Sequence, residues 1–308
     1  EEEEEEEEEE RKREANQQNQ QEIEEMWSWG AGTEGQLGTG RLQDEHFPQR
    51  LIDLSNYLSS FGSISLLACG GAHVIALTSG GKVLSWGRGA SGQLGHGEIV
   101  PNCLYPKLVD SLASSRISRV SAGWNHSGFV SDSGCLFTCG DGSFGQLGHG
   151  DCQSHSSPVE VSFFRSKPVE QIACGMRHSL VLLKGTSGHQ VYGFGLGKRG
   201  QLGVSKDKIR SLNLPQLWCG FEGMELVNII ANGDHSAVLS ADGQLFVWGR
   251  GFSSSSDVSV PQALPSSLRF KQAAVGWNHA LVLTGEGEVF MLGGSHHGVL
   301  SEPQTATL

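Results

Sequence analysis

A ten-residue glycine-rich block recurs along this chain at nearly constant spacing, and repetition of that kind constrains a fold more than any local propensity. The block reads Trp29-Gly30-Ala31-Gly32-Thr33-Glu34-Gly35-Gln36-Leu37-Gly38. It returns as Trp86-Gly87-Arg88-Gly89-Ala90-Ser91-Gly92-Gln93-Leu94-Gly95, as Cys139-Gly140-Asp141-Gly142-Ser143-Phe144-Gly145-Gln146-Leu147-Gly148 and as Phe194-Gly195-Leu196-Gly197-Lys198-Arg199-Gly200-Gln201-Leu202-Gly203. Its first glycine (Gly30, Gly87, Gly140, Gly195) advances by 57, 53 and 55 residues. Two worn copies follow, Trp248-Gly249-Arg250-Gly251 and Leu292-Gly293-Gly294.

A second station alternates with the block. It reads Ala68-Cys69-Gly70-Gly71-Ala72-His73, then Ala122-Gly123-Trp124-Asn125-His126-Ser127, Ala173-Cys174-Gly175-Met176-Arg177-His178-Ser179, Ala231-Asn232-Gly233-Asp234-His235-Ser236 and Ala274-Val275-Gly276-Trp277-Asn278-His279-Ala280. Each His opens a short apolar run such as Val74 to Leu77, and a glycine-bearing turn such as Ala241-Asp242-Gly243 leads into a second run. Asp-Gly between two β-rich runs is a strong hairpin signal. Each unit is thus expected to supply several antiparallel strands, with a proline-led connection (Pro106, Pro158, Pro215, Pro261) toward the next. No stretch from Trp27 onward keeps a helical period over 12 residues. A small repeated sheet cannot cover its own faces, so neighbouring sheets must stack, and radial stacking gives a β-propeller. Repeats start near residues 27, 84, 137, 191, 246 and 290, which implies five full units and a partial one.

Charge argues against nucleic acid as a direct ligand. The chain carries a formal −12, but residues 1–25 hold 14 of its 34 acidic and three of its 22 basic side chains, which leaves 20 and 19 for the other 283 residues. Phosphate neutralisation needs a basic surplus, and the repeat region has none. The first 25 residues, a Glu run, Arg11-Lys12-Arg13 and a Gln/Asn-rich stretch, cannot bury enough apolar surface to fold and are read as a solvated tail. No apolar run approaches the ~20 residues of a membrane-spanning helix. Seven scattered cysteines (69, 103, 135, 139, 152, 174, 219) form no CxxC pair. They are read as free thiols of a chain in the cytoplasm or nucleus, with Cys69 and Cys174 at strand positions in a core. No metal or cofactor is expected.

Four blocks satisfy G-x-G-x-x-G, the dinucleotide fingerprint, which places pyrophosphate at a helix N-terminus. None is followed by helical periodicity, so the glycines are assigned to positive-φ turns and close packing. The recurring His73, His126, His178, His235 and His279, with Gly30, Gly87, Gly140, Gly195 and Gly249, are read as structural. No nucleophile elbow or partnered carboxylate pair points to catalysis. The sequon Asn125-His126-Ser127 falls at a strand entry and is discounted, and residues 253–256, a serine run before Asp257, are read as a loop.

The paired stations resemble the regulator of chromosome condensation repeat family, over residues 26 to 300. That resemblance implies a propeller that normally has seven blades. Five His stations and six block starts fall about two blades short, and an open propeller would expose unpaired edges. The chain is therefore expected to be a partial or alternatively spliced product of a longer one.

Two residues before each repeat His vary, as Gly71-Ala72, Trp124-Asn125, Met176-Arg177, Gly233-Asp234 and Trp277-Asn278. Such slots are expected on one face around the axis, where side chains can vary without disturbing the repeat. Trp124, Asn125, Arg177, Asp234, Trp277 and Asn278 are thus the candidate contacts of a non-enzymatic module that binds a partner protein. The resemblance implies two alternatives. The family's founding exchange factor uses acidic and His side chains there to contact a Ran-type small GTPase, and only Asp234 is acidic here. The plant ultraviolet-B receptors carry Gly-Trp-Arg-His in neighbouring blades. Here Trp124 and Trp277 lie three units apart, and each is followed by Asn rather than Arg, which disfavours a photoreceptor.

Overall fold

The computed structural model describes residues 25–293 apart from 187, 204–209, 219, 251–256, 265 and 278. Asn278, Cys219, the serine run 253–256, Gly294 and residues 1–24 of the acidic tail therefore lie outside the described residues.

Glycine turns and short β-branched runs give antiparallel strands throughout. The chain opens with a two-stranded sheet, β1 (Trp27–Gly30) and β2 (Glu45–Arg50), and an eight-residue helix α1 (Leu54–Phe61). Four four-stranded meanders follow: β3 (Ile64–Cys69), β4 (His73–Thr78), β5 (Val83–Arg88) and β6 (Asn102–Leu108); β7 (Ile117–Ala122), β8 (His126–Ser131), β9 (Leu136–Gly140) and β10 (His155–Glu160); β11 (Val169–Cys174), β12 (His178–Gly185), β13 (Gly188–Leu196) and β14 (Ser211–Leu217); β15 (Leu226–Asn232), β16 (His235–Ser240), β17 (Leu245–Gly249) and β18 (Val258–Ala263). A three-stranded sheet closes the series, β19 (Phe270–Val275), β20 (His279–Thr284) and β21 (Val289–Gly293). This is an all-β propeller of five blades preceded by a half-blade, incomplete against seven.

The core lies between blades rather than inside them. Ile75, Leu77 and Val83 on the forward face of the β3–β6 blade pack with Val120, Phe129 and Cys139 on the back face of the next. The same positions pair Val130 and Leu136 with Val181 and Phe194, and Leu180 and Val191 with Val238 and Trp248. The first strand of every blade (β3, β7, β11, β15, β19) lines a central cavity of about 910 Å³.

Two sequence expectations are corrected. The prolines do not lead connections: Pro106, Pro158, Pro215 and Pro261 sit inside the outermost strands, and Pro48 holds the same place in β2. Each coincides with an irregularity in the register to the neighbouring strand, where the residue after the proline resumes pairing (Lys107 with Ser85, Val159 with Thr138, Gln216 with Gly193). An outermost strand tolerates the missing N–H only at such a break. Cys69 is likewise no core residue. It is exposed, whereas its repeat equivalent Cys174 is buried, because the half-blade before it has no inner strands to cover it. Burial pushes the Cys174 thiol up to about 12.

The sequence repeat begins at the third strand of each blade, so every repeat straddles two blades. The glycine blocks join third to fourth strands (β5 to β6, β9 to β10), and among the described residues none opens a helix of the kind pyrophosphate binding needs.

Candidate functional site

The loops between first and second strands gather at one mouth of the central cavity, and each ends on a repeat histidine. In four of them, His73, His126, His178 and His279, the ring folds back over the glycine three residues earlier. A Cβ added at Gly70, Gly123 or Gly175 would lie 2.2 to 2.4 Å from the Cε1 of His73, His126 or His178, so no larger residue fits without expelling the ring.

From there the imidazole reaches the next blade. His73 Nε2 lies 2.9 Å from Ser127 Oγ, and Ser127 donates to the Gln93 carbonyl at 2.7 Å. His126 reaches Ser179, which donates to the Gln146 carbonyl, and His178 reaches Ser236, which donates to the Gln201 carbonyl. The His and the block Gln of one blade thus clamp one Ser of the next. Because the hydroxyl proton is spent on the carbonyl, the imidazole must donate through Nε2–H. Burial keeps the ring neutral: it holds His73 and His178 down to about 3 and His126 to about 4. The same glutamines also tie down their own block, Gln146 Oε1 accepting from Phe144 N at 2.8 Å. The basic nitrogen that remains, Nδ1, is buried without a hydrogen-bond partner in His73, His126 and His178.

Above this frame stand the variable slots. Trp124 and Trp277 are each 42% exposed. Their rings touch, with centroids 5.7 Å apart and planes at 50°. Separation by three units in the sequence therefore does not keep them apart, which corrects the sequence reading. For Trp124 the room comes from the preceding blade: its slot is Gly71, whose added Cβ would meet the Trp124 ring at 2.9 Å, whereas a Cβ added at Gly233, the slot before Trp277, would make ordinary contact with that ring at 3.6 Å. Trp124 also lines the cavity mouth, so the pair forms an aromatic surface at the axis.

The remaining candidates are engaged more locally. Arg177 stacks its guanidinium 4.9 Å from the centroid of Phe144. Asp234 Oδ1 accepts from Gln201 Nε2 at 3.0 Å. Asn125 is half-buried, and its carbonyl accepts from Asp141 N. Phe144 was not singled out in the sequence, and Gly71 and Gly233 were read as variable slots but not as candidate contacts. The two glycines were legible only as the slots that precede a Trp. Among the described residues no cluster of His, Cys, Asp or Glu could hold a metal ion, and no helix is long and apolar enough to cross a membrane.

Comparison with known proteins agrees with this architecture. The family model described as an RCC1-like domain matches residues 25–307. Human E3 ubiquitin-protein ligase HERC2 is 34% identical over 89% of this chain, which spans 6% of that ligase. The ultraviolet-B receptor UVR8 of Arabidopsis thaliana is 33% identical over 74% of this chain and 49% of its own length. The secretion-regulating guanine nucleotide exchange factor of Bos taurus is 32% identical over 89% of this chain and 61% of its own length. Among solved structures, human WBSCR16 superimposes with a TM-score of 0.73 and 28% identity, covering 87% of this chain and 73% of that one. Prp20p from Saccharomyces cerevisiae, described with its binding to Gsp1p and histones, shares the fold at a TM-score of 0.56 and 21% identity, covering 87% of this chain and 80% of its own.

Proposed function

We propose a function on one premise, that this chain belongs to the RCC1-like domain family: it is a non-enzymatic module that binds a partner protein through the cavity-mouth face. The observation that carries this reading is the exposed Trp124–Trp277 pair. Two exposed tryptophans in contact have the make-up of an interface hot spot, where a large apolar area is presented at little conformational cost. Asn125, Arg177 and Asp234 supply its polar rim, and Asn278 belongs to the same slot. The test is capture of binding proteins by the 308-residue chain against a Trp124→Ala/Trp277→Ala variant. Proteins retained by the first and lost by the second support this reading, and identical sets overturn it.

Exchange on a Ran-type GTPase is the first alternative, favoured by the similarity to a guanine nucleotide exchange factor. Asp234, its one acidic contact, is already held by Gln201. Release of fluorescent GDP accelerated by the wild-type chain, and not by Asp234→Ala, decides for it. Light response is the second, favoured by the aromatic contact and the similarity to UVR8. The one slot arginine, Arg177, lies over Phe144 instead of being free for an ion pair across an interface. An ultraviolet-B-induced change in sedimentation would decide for light response.

A further inference from the structure

Two residues ahead of the repeat histidine, three successive blades spend a backbone N–H on the blade that follows. Gly71 N donates to the Gly123 carbonyl at 3.1 Å, Trp124 N to the Gly175 carbonyl at 3.1 Å and Met176 N to the Gly233 carbonyl at 2.7 Å. The β15–β18 blade breaks the series. Its station glycine stands one place later, so Asn232 ends β15 in register with His235, and Gly233 turns the chain at φ +54°. Among the described residues Gly233 N then donates to no group, and the Asn232 carboxamide has no hydrogen-bond partner. Asn232 is exposed and lines the central cavity.

Asn232–Gly233 is also the one Asn-Gly pair among the chain's nine asparagines. Glycine lacks the Cβ that shields a backbone nitrogen from the side chain before it. The two Asp-Gly pairs offer the same small residue without the same freedom. Gly142 N donates to Ser154 Oγ at 3.1 Å, and Gly243 N to the Ser240 carbonyl at 3.0 Å. Asp141 accepts from Ser143 N and Gln146, and Asp242 from Ser240 and Gln244. Such bonds must break before either pair can react, and Gly233 has none to break.

We propose that Asn232 is a site of spontaneous covalent modification, at which the folded chain converts its own carboxamide to a carboxylate. Gly233 N attacks Asn232 Cγ. The N–Cγ bond forms, the Cγ–Nδ2 bond breaks, and Nδ2 leaves as ammonia with the proton of the backbone nitrogen. Water then opens the five-membered succinimide at either carbonyl, giving aspartate or its isoaspartyl isomer, and no electrons are exchanged. The product sets a negative charge at the cavity mouth next to Gly233, where an added Cβ would lie 3.6 Å from the Trp277 ring. The isoaspartyl form also lengthens the backbone at the end of β15. The reaction needs no partner protein, so it stands or falls apart from the function proposed for that face.

The test is peptide mapping by mass spectrometry of the full 308-residue chain, held at neutral pH either folded or unfolded in guanidinium chloride. The folded chain should convert Asn232 to paired aspartyl and isoaspartyl forms within about tenfold of the unfolded rate, a slowing of under ~1.4 kcal/mol. The fold should slow isomerisation at Asp141 and Asp242 by more than that, and Asn228, followed by Ile229, should stay an amide. Asn232→Gln should abolish the change, and Gly233→Ala should slow it in both states. A fold that protects Asn232 as strongly as Asp141 and Asp242, or amide loss at Asn228 as fast as at Asn232, overturns the proposal.

Discussion

The junctions among the first four full blades and the junction to the last blade are built from the same repeat but held differently. Within β3–β18, a buried neutral imidazole and a block carbonyl share one serine, three times over. At the junction to β19–β21 the serine is Ala280, and the fifth block has lost its glutamine. His235 there reaches the Trp277 carbonyl at 2.9 Å instead. The difference teaches that the serine completes the device: Val74 stands in its place at the first junction although Gln36 is kept, and Ala280 at the last although His235 is kept. Apolar packing, Ala237, Leu239 and Leu245 against Val282 and Leu292, carries the last junction together with that hydrogen bond.

Acid should break this contrast most strongly. The folded pKa values of His73, His126 and His178 lie below the ~6.5 of an unfolded histidine. The unfolded chain thus takes up protons first. Their contribution is complete above pH 6.5 and lost as pH falls toward 4, at about 1.4 kcal/mol per histidine and pH unit. Urea denaturation at pH 7 and pH 5 should show it, with amide exchange rising more in β8 and β12 than in β20. Equal acceleration in all three strands would dissolve the distinction.

Single substitutions come next. His126→Ala should cost about 3 kcal/mol, from the lost ring and the orphaned Ser179 hydroxyl, and His279→Ala under about 1 kcal/mol. Urea midpoints compare them directly. Gly175→Ala pushes a Cβ into the His178 ring and should cost about 2 kcal/mol. Asn232→Ala, at the same station of the β15–β18 blade, should stay within about 0.5 kcal/mol. There Asn232 continues the strand, pairing with His235, and Gly233 makes the turn at φ +54°. The smallest effect on folding belongs to Trp124→Ala. It should leave the midpoint within about 0.5 kcal/mol, because the ring is exposed, while quenching changes report the broken contact with Trp277.

Much of this was legible as periodicity. Four copies of a block and five His stations specify the blades and their order, because a residue kept at the same phase of a repeat meets the same neighbour each time. The serines after His126, His178 and His235 and the glutamines of the four full blocks were visible too, but the bond joining them crosses between repeats. No spacing rule announces it. The Trp contact was hidden for a similar reason, since distance in units along the chain does not measure distance across an axis. Cys69 misled because its tripeptide matches that of Cys174, while burial depends on whether a neighbouring blade is there. The proline positions misled because a break in register inside a strand looks, in sequence, like the end of one.

Those prolines have a consequence for the rim. Five outermost strands each carry one, at Pro48, Pro106, Pro158, Pro215 and Pro261. A bare strand edge is a template on which any extended polypeptide can lay down hydrogen bonds, and a residue without an N–H, set in a kinked stretch, spoils the template at its middle. The circumference is thereby made unfit for lateral fibre growth. Sheets here can meet other sheets face against face, yet they are poorly suited to recruiting a further strand edge against edge.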